Sequence, residues 1–127
     1  MQNLCPCGKQ TSFAKCCGKF LSGTVKPRTP EQLMRSRYSA FALGGYGEYL
    51  MASWHPTMTA DLNAEVLSQK NQQWFKLTIL GKCQKGDIGS VEFEAFYINL
   101  KGEECVHHEV SSFVRVSGDW LYVGAEK

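Results

Sequence analysis

Four cysteines stand within the first 17 residues, as Cys5-Pro6-Cys7, eight intervening positions, and Cys16-Cys17. Two closely spaced thiol pairs across a short loop can close a tetrahedral metal site with metal–sulfur distances of ~2.3 Å. Gly8 and Gly18 directly follow the pairs. There the chain must turn sharply, backbone N–H groups can approach the sulfurs, and glycine tolerates the positive φ that such a turn uses. On a strand Cys16 and Cys17 would point to opposite faces, so a turn or the first turn of a helix is needed to aim both at one ion. Roughly twenty residues cannot bury enough apolar surface to hold a shape, so the ion supplies the folding free energy, on the order of 10–16 kcal/mol for zinc-finger peptides. Its removal is expected to unfold this segment alone.

The competing use of six cysteines is the disulfide framework of a secreted miniprotein. With 127 residues, 43% of them hydrophobic, the chain can build its own core. Its first residues, Met-Gln-Asn-Leu-Cys-Pro-Cys-Gly-Lys, lack the basic start, apolar run and small-residue cleavage site of a secretory signal. The expected setting is therefore reducing and cytoplasmic, with Zn2+ as the cofactor of Cys5, Cys7, Cys16 and Cys17; redox pairing or idle surface thiols is the plainer alternative. Cys83 and Cys105, far from the cluster, read as small hydrophobes on or near strands. No stretch approaches the roughly 20 apolar residues of a membrane span, because Gly44, Gly45, Gly47 and Glu48 interrupt the best candidate, Tyr38 to Trp54.

Charge is as uneven as sulfur. Residues 1–30 hold Lys9, Lys15, Lys19, Lys26 and Arg28 and no acid, whereas the remainder holds nine basic and all twelve acidic side chains. The two parts are +5 and −3, and the whole is +2. A zinc ion with four thiolates carries −2, which Lys9, Lys15 and Lys19 are placed to offset. We read a zinc module over residues 1–21, a polar linker over 22–29 and an α+β domain over 30–127.

That domain opens on a helix signal. Thr29-Pro30-Glu31-Gln32 places Thr at the N-cap, Pro at N1 and Gln at N3. Met34, Tyr38 and Phe41 follow at helical spacing, and Gly44-Gly45 ends the element. The sequence predicts a second helix from Tyr46 to about Trp54, ending before Pro56, and a helical turn near Asp61 to Leu67. From Trp74 the period falls to two: Phe75, Leu77 and Ile79 share one face, and Val91, Phe93, Ala95 and Tyr97 alternate with Glu92, Glu94, Phe96 and Ile98. Turn signals at Lys101-Gly102 and Ser117-Gly118-Asp119 bracket a third strand, Cys105 to Val116, and introduce a fourth, Trp120 to Val123. Helices followed by turn-linked strands point to a curved antiparallel sheet packed on helices, with a pocket at its open end.

The CxC, eight residues, CC pattern resembles the SEC-C motif, a zinc-binding element of the SecA translocase motor and of many other bacterial proteins. Arg35-Ser36-Arg37-Tyr38-Ser39-Ala40-Phe41, Trp54-His55-Pro56, His108-Glu109-Val110-Ser111-Ser112-Phe113 and Gly118-Asp119-Trp120-Leu121-Tyr122-Val123 resemble the YchJ family of uncharacterised bacterial proteins. Together these segments reach along nearly the whole chain. The resemblance implies a domain similar to nuclear transport factor two, a cystatin-like cone of sheet around helices, preceded by the zinc module. Members often carry a second SEC-C motif toward the C-terminus; residues 22–127 contain none.

Three functions remain open. A zinc-binding adaptor would recruit a protein partner through the cysteine module, with the α+β domain as scaffold or small-ligand receptor; it needs no catalysis. A small hydrolase or isomerase would use the pocket, with Arg35, His55, Trp74, Glu94 and His108 as candidates. His108, grouped with Val106, Val110 and Val114, would be either a core histidine or a general acid-base aided by Glu94. Arg35, like Arg37, offers a planar fork to an anionic ligand, or forms a surface ion pair. His55, before a proline, is a capping residue or a pocket residue. Glu92 and Glu94 form a paired-carboxylate site or a solvated face. Trp54, Trp74, Tyr97, Phe113 and Trp120 read as core or cavity lining. A nucleic-acid or ribosome binder would use the basic first thirty residues, with Phe13 and Phe20 as the available stacking groups.

Overall fold

A computed structural model describes residues 4–70 and 72–126. In chain order the elements are a 3-10 turn over Phe13–Lys15, α1 (Cys17–Leu21), α2 (Pro30–Leu43), α3 (Gly47–Ala52), a second 3-10 turn over Pro56–Met58, α4 (Ala64–Leu67), and the strands β1 (Gln73–Lys85), β2 (Ile88–Ile98), β3 (Glu104–Val116) and β4 (Asp119–Ala125).

The start of α2 follows its sequence signal. Thr29 Oγ1 accepts from the Gln32 N–H at 3.1 Å, Pro30 fills N1, and the Gln32 side chain accepts from the Arg28 N–H at 2.7 Å. The helix stops at Gly44, whose φ of 75° costs an L-residue strain, and the Gly44 N–H closes onto Ala40 O. The second helix is shorter than its expected span to Trp54. Residues 53–55 leave it to pair with β4 instead: the Tyr122 N–H donates to Ser53 O and the His55 N–H to Tyr122 O, both at 2.8 Å. The last helical turn begins at Ala64 because Asn63 caps it, its side chain accepting from the Val66 N–H.

The strands form one antiparallel meander in the order β1-β2-β3-β4. Its inner face presents Leu77, Val91, Phe93, Ala95, Ser111, Phe113 and Trp120, all buried. These pack on Leu33, Met34, Tyr38 and Ala42 of α2. Burying each large apolar side chain contributes about 1.5–3 kcal/mol. Leu21, Ala40 and Leu50 form a second cluster on the other side of α2. The helix therefore has apolar neighbours on two sides and buries Ser36, Arg37 and Ser39 as well.

The strands differ from expectation in phase at one point. Phe75 does not share a face with Leu77 and Ile79: a bulge between Trp74 and Lys76 turns it outward, 48% exposed, against Phe96. Trp74 thereby joins Leu77 and Ile79 in facing β2 residues of the inner face, with cross-strand partners Tyr97, Ala95 and Phe93.

Candidate functional site

The cysteine segment is a knuckle followed by a helix start. Leu4 and Ser12 form an antiparallel bridge, the Cys5 N–H donates to Thr11 O at 2.9 Å, and Gly8 turns the chain at φ 94°. Cys16 is the N-cap of α1 and Cys17 its first residue, so two adjacent side chains serve one centre. Gly18 is needed for space rather than for φ. A Cβ there would stand 2.7 Å from Phe13 O and 3.0 Å from the Phe13 ring.

The sulfurs of Cys5, Cys7, Cys16 and Cys17 all lie within 4.8 Å of one another, the one such His/Cys/Asp/Glu group found among the described residues. Tetrahedral ligation at ~2.3 Å would separate sulfurs by about 3.8 Å, and the Cys7 and Cys16 sulfurs stand 3.7 Å apart. Four thiols, all unpaired by disulfides and three of them buried, are a donor set that can hold a soft or borderline metal ion. Packed this closely, the thiols share protons. Hydrogen bonds from Cys17 and Cys7 hold Cys5 well below the ordinary thiol range, the bond to Cys5 holds Cys17 well above it, and burial pushes Cys16 up to about 11.

The site is joined to the main core. Cys5, Cys7 and Cys17 belong to the same buried cluster as Leu33, Met34 and Leu77. The Arg35 Nη1 donates to Cys7 O at 2.7 Å, and its Nε donates to Glu31, which also receives Lys82. Arg35 thus belongs to the cysteine site and not to the pocket.

The pocket is a cavity of about 360 Å³ between α2 and the inner face of the sheet. Of the five pocket candidates read from the sequence, Trp74 alone lines it. His108 does share a face with Val106, Val110 and Val114, but that face is the outer one. There His108 lies 51% exposed, opposite Glu94 in register, with its Nε2 2.7 Å from Glu92. The reason is parity: Ala95 points inward and pairs with His107, so His108 must point out. His55 caps the second 3-10 turn, its Nδ1 accepting from the Thr57 N–H. Arg35, Glu94 and His108 do not converge, so they form no acid-base constellation. Cys83 is exposed on β1 and Cys105 half-buried on β3.

The cavity holds instead a group that face assignment from the valines missed. Arg37 and Tyr122 line it with His107 and Glu109. Burial would raise the Glu109 carboxyl, but hydrogen bonds from Ser111, Tyr122 and His107 outweigh it and hold Glu109 below the ordinary carboxylate range. The register was the available signal. The five-residue connection 99–103 sets Ala95 opposite His107, two positions before Glu109 on the same face.

Residues 29–125 match the family described as YchJ, middle NTF2-like domain. A UPF0225 protein of Serratia proteamaculans is 39% identical over 132 residues, spanning 100% of this chain and 85% of that protein. The UPF0225 protein YchJ of Shigella dysenteriae is 38% identical, with 97% of this chain and 82% of that protein covered. A UPF0225 protein of Streptomyces coelicolor is 40% identical, with 96% and 94% covered. The solution structure of a SEC-C motif containing protein from Rhodopseudomonas palustris superposes with a TM-score of 0.88 at 33% identity, over 98% of both chains. A crystal structure of a SEC-C motif containing protein from Psychrobacter arcticus shares the fold, with a TM-score of 0.83 at 24% identity over 98% of this chain and 84% of that one. The α+β arrangement of helices on a curved sheet is thus the NTF2-like one.

Proposed function

Because the chain belongs to the YchJ family of UPF0225 proteins, we propose that it is a zinc-dependent adaptor, in which a SEC-C module of Cys5, Cys7, Cys16 and Cys17 presents a surface to a protein partner. One observation carries this reading: four sulfurs from two sequence-separated pairs stand within 4.8 Å of one another. Zinc suits four thiolates, and a saturated set of this kind is structural rather than catalytic. The reading places the protein in a reducing compartment, the cytoplasm, where the thiols stay available. No helix among the described residues is long and apolar enough to cross a membrane.

The partner surface is basic. Lys9 and Lys15 are exposed beside the knuckle, and the first thirty residues hold no acid, so an acidic protein face is its complement. Nucleic acid is the weaker fit, because the aromatic groups it would stack on are engaged. Phe20 is buried and Phe13 packs against the core.

Metal content and capture test the proposal together. Protein purified without chelator is expected to carry one zinc per chain, and Cys16→Ser, Cys17→Ser protein none. A partner retained by the first and not by the second supports the adaptor. A metal-free native protein would end the zinc reading, and equal retention by both would end the adaptor.

A further inference from the structure

The cavity has a surplus of hydrogen-bond donors around a buried cation. Arg37 is only 6% exposed, and its guanidinium lies over the rings of Trp54 and Tyr122 at 4.5 and 4.6 Å. Its Nη1 donates to Leu50 O at 2.9 Å and to Ser53 Oγ at 2.7 Å. Among the described residues no acceptor meets its Nε–H or Nη2–H groups and no carboxylate forms an ion pair with it. Burial lowers Arg37 only to about 10, so it is a cation at neutral pH.

The nearby acid cannot serve it. Glu109 is already engaged: Oε1 with His107 Nε2 at 2.9 Å, and Oε2 with the Ser111 and Tyr122 hydroxyls. Trp54 Nε1 and the Tyr38 hydroxyl are fully enclosed in the wall and present no surface to this cavity, whereas the Nε and Nη2 edge of Arg37, which lines it, is not fully enclosed. Polar groups away from bulk water are almost always paired, so the unused edge of a cation on a largely enclosed space marks what that space is shaped to accept. The rest of the wall is apolar, from Met34, Trp74, Phe93 and Phe113.

An acceptor-only, planar head group with a single negative charge fits such donors, since a guanidinium meets a carboxylate as a fork. Glu109 repels any anion here, and a second negative charge on the ligand doubles that repulsion without gaining a second cation, so a single charge is favoured. We propose that this cavity binds a small apolar monocarboxylate, its head group held by the unengaged edge of the Arg37 guanidinium, its body lying against Trp74, Phe93 and Phe113. Apolar walls with a few convergent polar groups are the usual make-up of a small-molecule site, and a cavity of this size holds a single-ring or short-chain acid. None of the four clustered cysteines lines this cavity.

The full chain, with its native metal content, can be titrated with phenylacetate, indole-3-acetate and hexanoate while the indole N–H and arginine Nε–H resonances are followed. At least one acid is expected to shift Trp54 and Arg37 saturably. The Trp120 indole, which donates to Arg28 O at 3.1 Å, should stay in place. The matching neutral alcohol should bind at least about tenfold more weakly, the discrimination of one charge-assisted contact. Arg37→Lys is expected to weaken the acid by a similar factor, and Ala95→Leu, which fills the cavity without altering charge, to abolish binding. Should either variant fail to fold, the acid-against-alcohol comparison on the unaltered protein decides alone. No saturable shift with any of the three acids, equal affinity for acid and alcohol, or undiminished binding in folded Ala95→Leu protein each overturns the proposal.

Discussion

The guanidinium of Arg35 reaches from α2 to the backbone of Cys7, with Nη1 2.7 Å from the carbonyl oxygen. The Cys7 carbonyl gains a charged donor, and the desolvated guanidinium gains a second acceptor beside Glu31. This bond makes α2 a wall of the cysteine centre, although the two segments are 28 residues apart.

Removing that bond should loosen the centre without altering its ligands. Arg35→Met keeps much of the aliphatic stem and leaves Cys7 O without its donor, which costs about 1–3 kcal/mol for a hydrogen bond involving a charged group. We expect a lower unfolding midpoint and faster transfer of bound metal to a chromogenic chelator. Wild-type release kinetics in Arg35→Met protein would show the contact to be idle.

Metal removal should affect more than the first twenty residues. Three of the four cysteines sit in the cluster that holds Leu33, Met34, Tyr38 and Leu77, so chelation is expected to lower the midpoint of one cooperative transition for the entire chain. Calorimetry with and without chelator checks this. A chelated protein whose main transition is unmoved, with a separate early loss of the knuckle, would restore the independent module expected from the sequence.

Gly18→Ala tests the close approach of α1 to the preceding turn. Its Cβ would meet a backbone oxygen at 2.7 Å, a contact that cannot be relieved by rotating a side chain, and overpacking of this kind costs about 1–3 kcal/mol. Reduced stability and weakened metal retention together are the expected outcome. A helix normally gains from a Gly to Ala exchange, so a stabilised variant would contradict the packing described.

The Glu109 network should appear in the acid limb of stability. Its carboxyl is held below the ordinary range in the folded state, so its contribution is complete above the unfolded value of about 4.3 and is lost as pH falls through the folded value. Tyr122→Phe removes one of the hydrogen bonds that lower Glu109. It should narrow the difference between folded and unfolded values and so flatten this part of the pH–stability curve. Denaturant midpoints measured from neutral pH downward decide it, and parallel curves for the two proteins would rule the network out as a source of acid sensitivity.

Local chemistry was legible in the chain. The Thr29 cap, the Gly44 stop and the convergence of Cys16 with Cys17 at a helix start each follow from a few neighbouring residues. Faces set by strand pairing were harder to read. Val106, Val110 and Val114 look like a core stripe, yet they share the outer face with the solvated His108 and Glu92 pair. The inner face is occupied by the less apolar series His107, Glu109, Ser111 and Phe113. Bulges are equally silent: nothing beside Phe75 announces that it will be left out of the ladder. Arg35 and Arg37, similar in the sequence, are separated by helix geometry, which turns two successive odd positions to different sides.

That separation has a mechanical consequence. One stiff rod carries the guanidinium that grips the Cys7 carbonyl and, half a revolution round its circumference, the guanidinium seated between Trp54 and Tyr122. Any roll or slide of the rod reaches both sites in the same instant, so neither guanidinium can be re-aimed while its sibling keeps its bearing.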